Sequence, residues 1–227
     1  MNIDDVTIKM AQWFFDKYNI NRDTQTIKLL HISSIKDRIK AANISLFGVR
    51  NVSENKVLQT QYTYQDRINQ TLQVVYLDRL QNSIEHVSKL IHDFDKSDTF
   101  ILDNPSKTEI KPTKAQLKEH LEALQWISSK VSYSHRFVII INDDRWTQLT
   151  NIGGQFTPHI FLACIIHELA HIIEYINKKT IIQHNDNASE FIEPNIINEY
   201  VDYLKYQNWA QKDIDTIREV IESCNGK

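Results

Sequence analysis

Ile160-Phe161-Leu162-Ala163-Cys164-Ile165-Ile166-His167-Glu168-Leu169-Ala170-His171-Ile172-Ile173 is the stretch on which the reading of this chain turns. An apolar run long enough for a core helix is broken by only three polar residues, spaced His-Glu-x-x-His. Two histidines four apart on a helix share one face, one turn above the other. Glu168 follows His167 by about 100° of rotation. Thr157-Pro158 supplies an N-cap and a favoured first helical residue. Asn177-Lys178-Lys179 puts basic residues where a helix C-terminus welcomes them. The spacing predicts a helix over 158–177 with both histidines in its second half, and Gly153-Gly154 marks a loop before it.

This arrangement suits metal chemistry. Two imidazoles on one face can share a zinc ion, and the carboxylate beside them can reach a water held there without displacing it. A fortuitous motif is the alternative reading. With nine His in 227 residues, H-E-x-x-H arises by chance in roughly a few chains per hundred. Buried polar groups need partners, and a metal would satisfy all three at once.

Upstream, Ser134-His135-Arg136-Phe137-Val138-Ile139-Ile140-Ile141-Asn142 carries an apolar, β-branched run and ends in Asn142-Asp143-Asp144, which predicts a strand with a polar stop. Strand, loop and H-E-x-x-H helix follow the order found in zincin metallopeptidases, and the segment from about 134 to 206 resembles that class. The resemblance implies zinc as cofactor, one ion per chain, with His167 and His171 as ligands. It implies Glu168 as the general base of peptide hydrolysis and a protein or peptide as substrate. It also implies that a strand beside the helix, by position 134–142, pairs with extended substrate.

A catalytic zinc usually has a third protein ligand. Downstream candidates are His184, Glu190, Glu193 and Glu199. Glu199 lies in Asn195-Ile196-Ile197-Asn198-Glu199-Tyr200-Val201-Asp202, which resembles the glutamate helix of gluzincins. The acid that follows, Asp202, comes three residues on, where many gluzincins have it four on. If this helix packs antiparallel to the first, Glu199 meets the level of His171. His184-Asn185-Asp186, with Phe191 after it, is loosely similar to the third-ligand segment of SprT-like proteases, which act on DNA-bound proteins. Asn185 stands where those proteins commonly have Gly, and the chain has no Cys-rich zinc ribbon. Glu190 fits a capping box from Asn187, and Glu193 precedes Pro194. Glu199 is the expected ligand. Tyr200, Tyr203, His159 and His184 are candidates to stabilise an oxyanion, and Asp202 and Glu174 to orient the histidine ligands.

Composition bounds the rest. The net charge of −3 and pI of about 6.3 lack the basic excess of a nucleic-acid binder. Cys164 and Cys224 make no disulfide framework. No signal-peptide core precedes the first helix and no membrane span stands out, so a cytoplasmic protein is expected. The expected fold is α+β: mostly helical, with a small, mainly antiparallel sheet carrying the metal helix. Residues 1–110 form an N-terminal mixed lobe of unassigned role, and 111–227 the zincin-like catalytic region. Helices are expected over 6–18, 27–42, 66–94 and 113–131, the last opened by a Thr113–Gln116 capping box. Short strands are expected at 44–49, 57–64 and 100–102. A non-catalytic, zinc-stabilised binding or structural module is the alternative in a different functional class.

Overall fold

The computed structural model describes residues 2–21, 26–47, 72–94, 113–132, 134–151, 154–178 and 195–225. Its elements in order are α1 (Ile3–Lys17), β1 (Ile27–Ile32), α2 (Ile35–Phe47), β2 (Leu72–Tyr76), a single 3-10 turn (Leu77–Arg79), α3 (Leu80–Phe94), α4 (Lys114–Lys130), β3 (Phe137–Asn142), α5 (Asp143–Asn151), α6 (Pro158–Lys178), α7 (Ile196–Tyr206) and α8 (Gln211–Asn225).

The chain is mostly helical around one small sheet, as α+β requires. The sheet is mixed rather than mainly antiparallel, with the order β1-β3-β2. β1 runs parallel to β3, with Ile27 opposite Phe137, and β2 runs antiparallel to it, with Leu72 opposite Ile141. All six residues of β3 are buried, because helices cover both faces. Phe137, Ile139 and Ile141 point into the core shared with α1, α6, α7 and α8. Val138 and Ile140 point into a second core shared with α2, α3 and α4. Two faces of one strand thus serve two apolar layers, which is why Phe137–Ile141 reads as an unbroken apolar run. β1 and β2 come from the first 110 residues and β3 from the rest, so the sheet joins both sides of the expected divide at 110/111.

Several expected elements fall differently. Residues 27–42 are not one helix. Ile27–Ile32 is a strand, and the helix begins after Ser34. The Ser34 hydroxyl accepts from the Asp37 N–H at 3.1 Å and donates to the Asp37 carboxylate at 2.8 Å, a side-chain cap that restarts the chain as a helix. The strand expected from Ile44 is the last turn of α2 as far as Phe47, with Ile44 buried in the second core. The long helix expected over 66–94 begins only at Leu80, because Leu72–Tyr76 is β2. The strands expected at 57–64 and 100–102 lie outside the described residues. The strand stops at Asn142 as expected, and Asp143 and Asp144 form the first turn of α5, where the helix dipole favours them. α4 also opens as expected, with both hydrogen bonds of the Thr113–Gln116 capping box formed.

α6 is the centre of the first core. Phe161, Ile165, Ile166, Leu169 and Ile172 have no solvent exposure. Among the described residues α6 alone is long and apolar enough to cross a membrane, and 78% of that window is buried inside the fold. Its apolarity is accounted for by the helices and sheet packed around it.

Candidate metal centre

His167 and His171 project from successive turns of α6. Their Nε2 atoms stand 3.1 Å apart, and their rings lie 4.6 Å apart at 87° to one another. Zinc–imidazole bonds of about 2.0–2.1 Å to both nitrogens would subtend roughly 100° at the ion, close to a tetrahedral angle. The two nitrogens are within hydrogen-bond distance of each other; an ion held by both would replace that contact, and two imidazoles are a donor pair that suits zinc.

Glu168 is 7% exposed. Its Oε2 accepts a hydrogen bond of 2.8 Å from the backbone N–H of Val74 on β2. Burial pushes its carboxyl up to about 7, against the opposing pull of the Val74 bond. A carboxyl held near neutrality can both take and return a proton. Cys164, one turn before it, is pushed up to about 11 by burial and by the neighbouring Glu168, so it is a protonated core thiol.

The opposite wall comes from β2 and the turn after it. Tyr76 is buried, and burial together with the Glu168 and Glu174 carboxyls keeps its phenol protonated. Its ring lies 4.5 Å from that of Tyr175, which follows His171 by one turn. The Tyr175 hydroxyl donates to Asp78 at 2.7 Å and accepts from Arg79 Nε at 3.0 Å. The chain leaving β2 thus braces the C-terminal end of the motif helix.

Glu199 is placed elsewhere. Its Oε2 bonds to the Lys17 ammonium at 2.7 Å, and its Oε1 accepts from the Tyr18 hydroxyl at 2.7 Å. Lys17 also reaches Asp202 at 2.9 Å. Burial works against the Lys17 charge, but these two carboxylates outweigh it and raise its pKa. The level of α7 agrees with this placement. Tyr200 meets His159 Nδ1 at 2.6 Å, and His159 lies eight residues before His167, about 12 Å along the helix at 1.5 Å per residue. Among the described residues no third His, Cys, Asp or Glu groups with another pair closely enough to hold a metal. His184, Glu190 and Glu193 lie outside the described residues.

The other expected roles sort similarly. The Tyr200 hydroxyl is engaged by His159, whose imidazole burial pushes down to about 4. Tyr203 packs on Trp13 at 5.3 Å. Asp202 pairs with Lys17 and is half exposed. Glu174 is buried on α6, near Tyr76. The strand at 134–142 cannot take substrate by strand addition, because β3 pairs with β1 on one side and β2 on the other. The strand that lies against α6 at Glu168 is β2. Sequence reasoning missed Val74 and Tyr76 because their segment carries a helical pattern. The β-branched and aromatic run Val74-Val75-Tyr76 was the available signal.

Comparison with family models, with characterised proteins and with solved structures finds no match for this chain.

Proposed function

We propose that this chain is a zinc-dependent metallopeptidase. The observation that carries the reading is the pair of imidazole nitrogens 3.1 Å apart on one face of α6, beside the buried carboxyl of Glu168. His167 and His171 would hold the ion. Bound zinc supplies an acidified water at neutral pH and positive charge for a carbonyl oxygen. Glu168 would take a proton from a water beside it and return it to the leaving amine of a cleaved peptide.

Glu199 as third ligand requires it to leave Lys17 and Tyr18. Its engagement with both favours a second reading, in which His184 completes the site and the chain resembles SprT-like proteases that act on DNA-bound proteins. Zinc per chain, measured by mass spectrometry on wild type, Glu199→Ala and His184→Ala, separates the two. Loss of zinc only in Glu199→Ala supports the gluzincin-like ligand set. Loss only in His184→Ala supports the other and makes DNA-stimulated cleavage the next assay. A wild type that takes no zinc after metal loading refutes both. Zinc binding without hydrolysis of any peptide would leave a zinc-stabilised structural module.

A further inference from the structure

Alternate residues of an antiparallel strand turn their backbone groups toward the partner and away from it. The Leu77 N–H, just past the end of β2, bonds to the Arg136 carbonyl at 2.9 Å, continuing the ladder with β3. Residues 73, 75 and 77 therefore face β3, and the backbone groups of Leu72, Val74 and Tyr76 face the other way. There the Val74 N–H meets Glu168 at 2.8 Å. Among the described residues β2 is an edge strand, and its outward-facing Val74 amide is joined to a side chain of the motif helix, 94 residues distant in sequence.

We propose that the backbone N–H of Val74 is the positioning group for Glu168: it fixes Oε2 and leaves Oε1 as the oxygen that exchanges protons in the reaction. The proposal rests on the metallopeptidase reading. A buried carboxylate needs a hydrogen-bond partner, and a side chain with rotatable bonds needs an anchor if one oxygen is to keep a fixed aim. A backbone amide is a rigid anchor because the sheet holds it. The bond also gives β2 a specific task. At Val74 its outer edge serves the base, so an extended peptide cannot take the same N–H while Glu168 is held.

Proline at 74 removes the donor. The lost N–H faces away from β3, and edge strands tolerate proline where the N–H is outside the ladder. Val74→Ala keeps the N–H and is the control. On a quenched-fluorescent peptide that the wild type cleaves, Val74→Pro is expected to lower kcat about 100-fold, with KM within twofold and zinc per chain unchanged. Val74→Ala, which keeps the N–H, should lose far less kcat than Val74→Pro. Independently of activity, the Val74 amide of the zinc-loaded protein should resist hydrogen exchange. Glu168→Ala should speed that exchange more than tenfold and leave Val75, whose amide faces β3, unaltered. Wild-type kcat in Val74→Pro, or free exchange of the Val74 amide in the zinc-loaded protein, overturns the proposal. If Val74→Pro does not fold, the exchange measurement decides alone. Absence of zinc from the wild type overturns the metallopeptidase reading, and the catalytic role of Val74 with it.

Discussion

Two carboxylates expected to serve one metal lie in two different surroundings. Glu168 is enclosed between α6 and β2 and, among the described residues, meets a backbone amide but no cation in hydrogen-bond contact. Glu199 lies between α7 and α1, and its oxygens are bound by an ammonium and a phenol. Burial pushes the first toward neutrality, whereas the second is matched with Lys17. A desolvated carboxyl without a countercharge is poised for proton transfer. A carboxylate matched with Lys and Tyr is a tie between helices. On the proposed reading, with Glu199 staying bound to Lys17 and Tyr18, the contrast would separate a group placed for chemistry from one placed for packing, although both are acidic residues on apolar helices.

The sharpest way to break this contrast is to neutralise each acid in turn. Glu168→Gln is expected to lower peptide turnover by about 10²–10⁴-fold, the usual contribution of a general base, while zinc and fold persist. Glu199→Gln is expected to leave turnover within a few-fold. Equal losses in steady-state kinetics would put both carboxylates in the same site and remove the distinction.

His159 lies where the two regions meet, bonded to Tyr200 of α7, and His120 lies in the other core, bonded to the Asn43 carbonyl. Burial lowers both to about 4 from an ordinary 6.5. Below about pH 6.5 the unfolded chain therefore binds protons that the folded chain refuses. Their contribution to stability is complete above the unfolded value and is lost as pH falls toward 4. The loss amounts to up to about 3 kcal/mol for each. Urea unfolding at pH 7 and pH 4.5 measures it. His159→Gln and His120→Gln should each flatten the pH dependence, and an unchanged slope in His159→Gln would contradict the buried α6–α7 contact that sets the level of Glu199.

What the sequence disclosed follows the same division between local and distant contacts. α6 was legible because its cap, its apolar run and its three polar residues all lie within about twenty residues. α4 was legible through Thr113 and Gln116, whose side chains each bond to the other's backbone N–H. β2 was hidden because Leu72, Val75 and Tyr76 fall at i, i+3 and i+4. That is a helical signature, and it arises here because Val75 faces one core and Leu72 and Tyr76 the other. A sheet covered on both faces erases the alternation that normally reveals a strand. The Val74 anchor is a backbone contact and leaves no mark in residue identity. The position of Glu199 depends on Lys17 and Tyr18, more than 180 residues away in sequence, so spacing within α7 could not reveal it.

The smallest effects test whether α1 acts as a tie. At its C-terminal end Lys17 joins Glu199 and Asp202 with 31% of its side chain exposed. Lys17→Met should cost about 1 kcal/mol, with no change in zinc content. At its N-terminal end Asp4 meets His31 Nε2 at 2.7 Å, and Asp143 of α5 meets Nδ1 at 2.6 Å. Burial opposes the imidazolium, but the Asp143 and Asp4 bonds outweigh it and raise its pKa. A raised histidine stabilises fully below its unfolded value of about 6.5 and loses that contribution as pH rises through the folded value. Both carboxylates are substantially exposed, so solvent screening limits the effect to under about 1 kcal/mol. Its direction is opposite to that of His159 and His120. Above pH 6.5, where those two are silent, wild type should weaken slightly and His31→Gln should not. Added salt should shrink this tie and the Lys17 tie together, because both pairs are reachable by counterions. The bond between Glu168 and Val74 should be indifferent to the same salt. A salt-sensitive exchange rate at the Val74 amide would place Glu168 among the solvent-screened pairs and erase the contrast between the two regions.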